Sequence, residues 1–183
     1  IYCDINDNDQ NTERRFPEAE ELIRIRERVE SFGMNMSLLE TAFPMDKIIV
    51  STPGRDEQLE QFKRALGTMG EAGMEILCYD WMPTDASVVR TSFTATTRGA
   101  LTNAFDLAAY QAQSEQSAVL TNTEEQMWDD LEYFLRKCLP AAEEAGVKLA
   151  MHPDDPPMSP LAGYSRIMRS PEAFDRLFSI SSS

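Results

Sequence analysis

Apolar residues along this chain recur at the three- and four-residue steps of a helix, gather into short continuous runs, and then return to helical steps. Leu22, Ile25, Val29 and Phe32 form a first stripe between Pro17, suited to an opening turn, and Gly33, suited to a helix end. Leu59, Phe62, Leu66 and Met69 form a second, after the capping candidate Asp56 and before Gly73. In the third, Thr123 and Gln126 match a capping box, and Met127, Leu131, Phe134, Leu135, Cys138 and Ala142 trace a stripe up to Gly146. Pro140 lies inside this longest helix, where it removes an amide donor and can kink the last turns. A final helix is predicted from Ser170-Pro171-Glu172, using Phe174, Leu177 and Phe178.

Each of the first three stripes ends at glycine and is followed by an apolar run: Met34 to Leu39, Met74 to Tyr79, and Val147 to Met151. These read as buried strands, and Ile1 to Ile5 reads as a preceding one. The order is then strand, helix, strand, helix, strand, long loop, helix, strand, loop, helix, which predicts an α/β fold with a parallel sheet. Patterning alone leaves two architectures open, a doubly wound sheet and a closed barrel. No GxGxxG or GxxxxGK[ST] pattern favours the first, and the glycines sit singly at helix ends.

In both architectures the carboxyl ends of the strands carry the site, and here the residues after each run are polar. They read Asp4-Ile5-Asn6-Asp7, Glu40-Thr41, Tyr79-Asp80-Trp81 and His152-Pro153-Asp154-Asp155. His152 is the only histidine of the chain, and an imidazole at a strand end suits a divalent metal or proton transfer near neutral pH. A satisfied structural histidine is the alternative. Two carboxylates follow it, and Pro153, Pro156 and Pro157 stiffen the loop. Glu40, after a buried strand, suits an acid that supports a metal ligand or accepts from a substrate hydroxyl, or equally a helix or loop cap. Arg90 and Arg98, in RTSFTATTRGA, could hold a carboxylate in a bidentate pair or be solvated surface. Cys78, inside an apolar strand, reads as core rather than nucleophile, and the ten methionines read as packing.

Composition narrows the classes. The net charge is −14, from 31 acidic against 17 basic residues, so phosphate backbones and anionic lipid surfaces are disfavoured partners. Cys3, Cys78 and Cys138 are odd in number and lack CxxC spacing, which fits a reducing cytoplasm and neither a disulfide framework nor a zinc knuckle. No apolar stretch has the length of a membrane span, and no leader is visible. The 183 residues are read as a single domain over 1–183, yet a complete eight-stranded barrel usually needs about 250.

At the strand-end loop the sequence resembles the mannonate dehydratase family, whose fold is a xylose-isomerase-like α/β barrel. LRKCLPAAEEAGVKLAMHPDDPP, Leu135 to Pro157, resembles the family's helix, strand and metal-binding loop. SPLAGYSRIMRSPEAFDRLF, CYDWMP, RTSFTATTRGA and LLET add to the likeness, whereas Ile1 to Arg15 and Gln111 to Asn122 match poorly. The resemblance implies a TIM-type (β/α)8 barrel of which roughly four strand-helix units are present. It implies a lyase that dehydrates D-mannonate to 2-dehydro-3-deoxy-D-gluconate in hexuronate catabolism, with a divalent cofactor, Mn2+ or Fe2+.

By that resemblance His152 is a metal ligand and Arg90 helps to hold the acidic substrate; Glu40 and Asp154 are read as substrate-binding beside them. The family's other ligands, a cysteine, a histidine and an aspartate, lie farther toward the C-terminus than Ser183, as do its candidate acid and base, so no catalytic residue is assigned. The chain departs from the family in Asp4-Ile5-Asn6-Asp7, in Met45-Asp46 where a His-Glu pair is usual, and in an insertion between Trp81 and Arg90. Four strands of eight leave raw edges, which points to part of a longer enzyme, with a truncated product or a half-barrel paired with another copy as alternatives. A homo-oligomer stays open. Competing functions are a sugar isomerase or epimerase of the same superfamily and a catalytically inactive binding or assembly module.

Overall fold

The computed structural model describes residues 15–83, 89–113 and 120–181. The expected strand Ile1 to Ile5 and the polar residues after it lie outside the described residues. The remaining elements run in chain order as α1 (Ala19–Glu30), β1 (Leu38–Glu40), α2 (Asp46–Ile49), α3 (Arg55–Glu71), β2 (Ile76–Tyr79), β3 (Ser92–Thr97), β4 (Ala100–Ala104), α4 (Leu107–Gln113), α5 (Glu124–Ala145), β5 (Lys148–Met151) and α6 (Pro171–Ser181).

The three apolar runs pair as a parallel sheet in the order β1-β2-β5, so the expected α/β class with parallel strands is observed. Only the last part of each run is strand. In the first, Met34 is exposed and pairing begins at Leu38, after the Ser37 carbonyl has accepted the Glu75 and Ile76 amides. Glu40 stands opposite Cys78, and Cys78 opposite Ala150. Because side chains alternate along a strand, the sheet has two distinct faces.

Leu39, Leu77 and Tyr79 lie on the face that meets the helices and are buried. Behind them α3 and α5 pack together, and a Cβ at Gly70 of α3 would collide with the carbonyl oxygen of Ala145 in α5, so this close approach requires glycine. A continuous row of rings fills the layer. Phe16 meets Phe43 at 5.2 Å between centroids, Phe43 meets Phe62 at 5.7 Å, and Phe62 meets Phe134 at 5.0 Å. Phe134 also touches Tyr79 at 5.5 Å and Trp81 at 5.3 Å. Tilted and edge-on geometries of this kind add attraction beyond the area buried. Trp81 satisfies its indole N–H on the Met127 carbonyl at 3.3 Å.

The capping box is present: the Thr123 hydroxyl accepts from the Gln126 amide at 3.2 Å and the Gln126 side chain accepts from the Thr123 amide at 2.8 Å. Gly146 ends α5 in the left-handed region and Pro140 sits inside the helix, as the pattern predicts. Seven of the ten methionines are buried, in line with packing: Met36, Met45, Met69, Met74, Met82, Met127 and Met168.

Other expectations are corrected. Asp56 does not cap α3: Gly54, in the left-handed region, holds the N-cap, and Asp56 in the first turn accepts from the Tyr133 hydroxyl at 2.6 Å. Phe32 and Phe178, expected on buried stripes, are exposed because α1 ends at Glu30 and Phe178 lies on the solvent side of α6. The expected long loop after β2 contains an antiparallel hairpin, β3 with β4, turning at Arg98-Gly99, followed by α4. Both turn residues have positive φ, as a type I′ hairpin turn requires. Among the described residues no helix is long and apolar enough to cross a membrane.

Candidate functional site

The second face of the sheet carries Glu40, Cys78 and Ala150 in one row, with Asp80 and His152 one step beyond it toward the strand ends. Leu38, Ile76, Cys78 and Ala150 are only partly buried there, in contrast to their neighbours on the helix side. The backbone fixes His152 firmly, since its amide donates to the Tyr79 carbonyl at 2.8 Å and so extends the β2–β5 ladder by one position. The parallel register thereby brings the end of β1 and the end of β5 to one rim. His152 Nε2 stands 3.8 Å from Glu40 Oε1, with both side chains about one-third exposed, at 33% and 38%.

The other ring nitrogen, Nδ1, lies 2.6 Å from the Pro153 carbonyl oxygen. A carbonyl can only accept, so this contact requires a proton on Nδ1. In the neutral ring that leaves the Nε2 lone pair directed at the rim. This is the tautomer a metal-binding imidazole needs, oriented through its second nitrogen.

Arg90 is brought to the same loop from 65 residues away. Its Nη2 donates to Asp155 Oδ2 at 2.5 Å and its Nη1 to the Val89 carbonyl at 3.0 Å, with the side chain 12% exposed. Arg98, by contrast, lies at the tip of the hairpin and is exposed. The hairpin's strands pack chiefly on each other.

Asp154 departs from the expectation of substrate binding. Its carboxylate is buried beneath the loop, where Oδ1 accepts from Arg166 Nη1 at 3.1 Å and Oδ2 from the Met168 amide at 2.7 Å. Burial pushes its carboxyl up, against the opposing pull of Arg166 and the amide. Both oxygens are engaged, so neither faces the rim. Arg166, its fully buried partner, was not singled out by the pattern. The one signal for it was a cation set in the apolar context of Ile167 and Met168.

Cys78 is a partly buried member of the rim face rather than of the core, and desolvation, with Glu40 and Asp80 nearby, pushes its thiol up. A thiol held protonated in this way is a poor nucleophile, as the sequence reading expects. Among the described residues no group of three His, Cys, Asp or Glu side chains gathers around one point. His152 and Glu40 therefore form a pair of donors rather than a closed cage.

Comparison with known proteins adds a family. The family model described as D-mannonate dehydratase (UxuA) matches residues 9–124 and 120–183. Mannonate dehydratases from Streptococcus suis and Streptococcus pneumoniae are each 31% identical over 185 residues, covering 88% of this chain and 50% of their own length. One from Shouchella clausii is 29% identical over 193 residues, covering 90% and 54%. The crystal structure of the Streptococcus suis enzyme superposes with a TM-score of 0.76 at 31% identity, over 93% of this chain and 49% of that one. The chain thus spans about half the length of the curated relatives it matches.

Proposed function

Because the chain belongs to the D-mannonate dehydratase family, we propose that it is part of a metal-dependent lyase that converts D-mannonate to 2-dehydro-3-deoxy-D-gluconate in cytoplasmic hexuronate catabolism. The observation that carries this reading is the His152 ring, whose Nε2 faces Glu40 on the rim while Nδ1 meets the Pro153 carbonyl. Its support in the fold is the sequential order β1-β2-β5, in which each strand adds to the same side. A TIM-type (β/α)8 barrel grows in this way, with the site at its carboxyl rim.

An imidazole nitrogen beside a carboxylate suits Mn2+ or Fe2+, and His152 is the residue we assign to such an ion, as one donor of a larger set. A divalent ion at this position supplies positive charge to stabilise the electron density that builds up next to the substrate carboxylate. Dehydration removes the proton from C2 of the sugar acid, expels the C3 hydroxyl as water, and leaves an enol that tautomerises to the 2-keto acid. Within this scheme Arg90, tied to Asp155 of the His152 loop, exchanges that pair for the substrate carboxylate. Glu40, 3.8 Å from His152 Nε2, accepts a hydrogen bond from a substrate hydroxyl.

Metal analysis together with a D-mannonate assay tests the proposal. The expected result is a bound divalent ion, formation of the 3-deoxy-2-keto acid, and loss of both in His152→Ala with the fold retained. Retained metal in His152→Ala would show that the residue is structural. Turnover of an aldose or ketose without the keto acid would replace the lyase with an isomerase.

A further inference from the structure

The loop that carries His152 is held by two buried charges that have no access to substrate. The side chains of Asp154 and Arg166 are 1% and 0% exposed, and they meet at 3.1 Å. A second tie runs through the backbone, where the Asp154 amide donates to the Met168 carbonyl at 2.9 Å while the Met168 amide returns a bond to Asp154 Oδ2 at 2.7 Å. The arm that contains Arg166 is itself clamped to the start of α5. Ser165 bonds Asn122 through its amide and its hydroxyl, each at 2.9 Å, and Arg169 reaches Glu124 at 2.5 Å. His152 stands two residues before Asp154, between this clamp and its own bond to Tyr79.

A buried ion pair is a poor way to gain stability, because taking both ions out of water offsets most of their attraction and an apolar pair of similar size often does as well. What the pair supplies over apolar packing is direction: charge-assisted hydrogen bonds fix angles as well as distances. Resting on the reading of His152 as a metal donor, we propose that Asp154 and Arg166 are positioning residues that hold the 152–154 backbone so that Nδ1 meets the Pro153 carbonyl and Nε2 points to the rim. Ring orientation depends on the carbonyl of the next residue, and that carbonyl's direction depends on where Asp154 is tied.

The experiment uses the protein labelled with 15N-histidine, metal-free at pH 8, with the His152 signals identified by their disappearance in His152→Ala. The parent protein is expected to show the Nδ1–H tautomer at His152. The double variant Asp154→Leu/Arg166→Met removes both charges and leaves neither unpaired, but it takes the acceptor from the buried Met168 amide, so its Tm is expected to fall by about 2–12 °C with the protein still folded. Its His152 nitrogen shifts are expected to move toward the average of two tautomers, and its affinity for Mn2+ to fall by about 10- to 100-fold. If the double variant does not fold, Arg166→Lys keeps the charge but loses the planar fork, and a smaller shift in the same direction is expected. Parent-like nitrogen shifts in the folded variant would overturn the positioning role. Mn2+ binding that survives in His152→Ala would overturn the metal assignment instead, and the tautomer measurement would still decide the positioning role.

Discussion

The two faces of the β1-β2-β5 sheet are built from adjacent residues and are put to opposite uses. Toward the helices, Leu39, Leu77 and Tyr79 are sealed behind the row of rings that runs from Phe16 to Trp81. Toward the other side, Glu40, Cys78 and His152 remain partly exposed, and polar atoms meet polar atoms. Leu77 and Cys78 share a peptide bond but not an environment. The first face is sealed and apolar, and the second carries the charged and polar side chains.

The strongest test of this contrast is Phe134→Ala, which removes the ring that Phe62, Tyr79 and Trp81 all touch. Its expected cost is about 3–5 kcal/mol, read as a lower urea midpoint at unchanged slope. Next comes the neighbouring pair. Leu77→Ala is expected to cost about 2–5 kcal/mol and Cys78→Ala less than about 1 kcal/mol, so equal losses would erase the distinction between the faces.

Alkaline pH should probe the buried thiols and phenol, chiefly on the helix side, with Cys78 of the rim face adding to the loss. Burial pushes the Cys138 thiol up to about 12 and raises the Tyr79 phenol as well. A group whose pKa is higher in the folded state stabilises fully below its unfolded value, and that contribution is lost as pH rises through the folded value. Stability is therefore expected to be flat up to about pH 8.5 and then to fall by about 1.4 kcal/mol per pH unit from Cys138 alone, with Tyr79 adding above about pH 10. Denaturation midpoints that stay level to pH 11 would contradict the burial of both groups. The smallest expected effect is on the rim: Glu40→Gln should change stability by no more than about 0.5 kcal/mol while weakening Mn2+ binding and turnover. A large loss of stability would mean that Glu40 supports the fold.

Much of the helix side was legible in sequence because repetition carries it. The Leu131, Phe134, Cys138, Ala142 stripe, the Thr123–Gln126 box and Gly146 all encode one element within a short window. His152 at the end of β5 was legible for the same reason, since an apolar run followed by a polar residue marks a strand end. The β3–β4 hairpin was not, because SFTATT and ALTNA present no buried face and so no alternation to read; Phe93 and Leu101 remain 69% and 73% exposed. Exposed aromatic residues misled in the opposite direction at Phe32 and Phe178, where helical spacing continued past the contact that gives it meaning. The Asp154–Arg166 pair was hidden for a different reason. Its partners lie 12 residues apart across an irregular loop, and no local period relates them. Arg90 and Asp155, 65 residues apart, pose the same difficulty at longer range.

The clamp between the loop and α5 bears on how this site can be moved or rebuilt. Asn122 and Glu124 belong to the start of a helix that closes with its own cap, yet they hold Ser165 and Arg169 of the site's return arm. Transplanting residues 152–169 onto another scaffold would carry over His152 without the surface that shapes its loop. The unit of inheritance is the loop together with the first turn of α5, and an insertion between Asn122 and Glu124 would reach His152 as surely as one beside it.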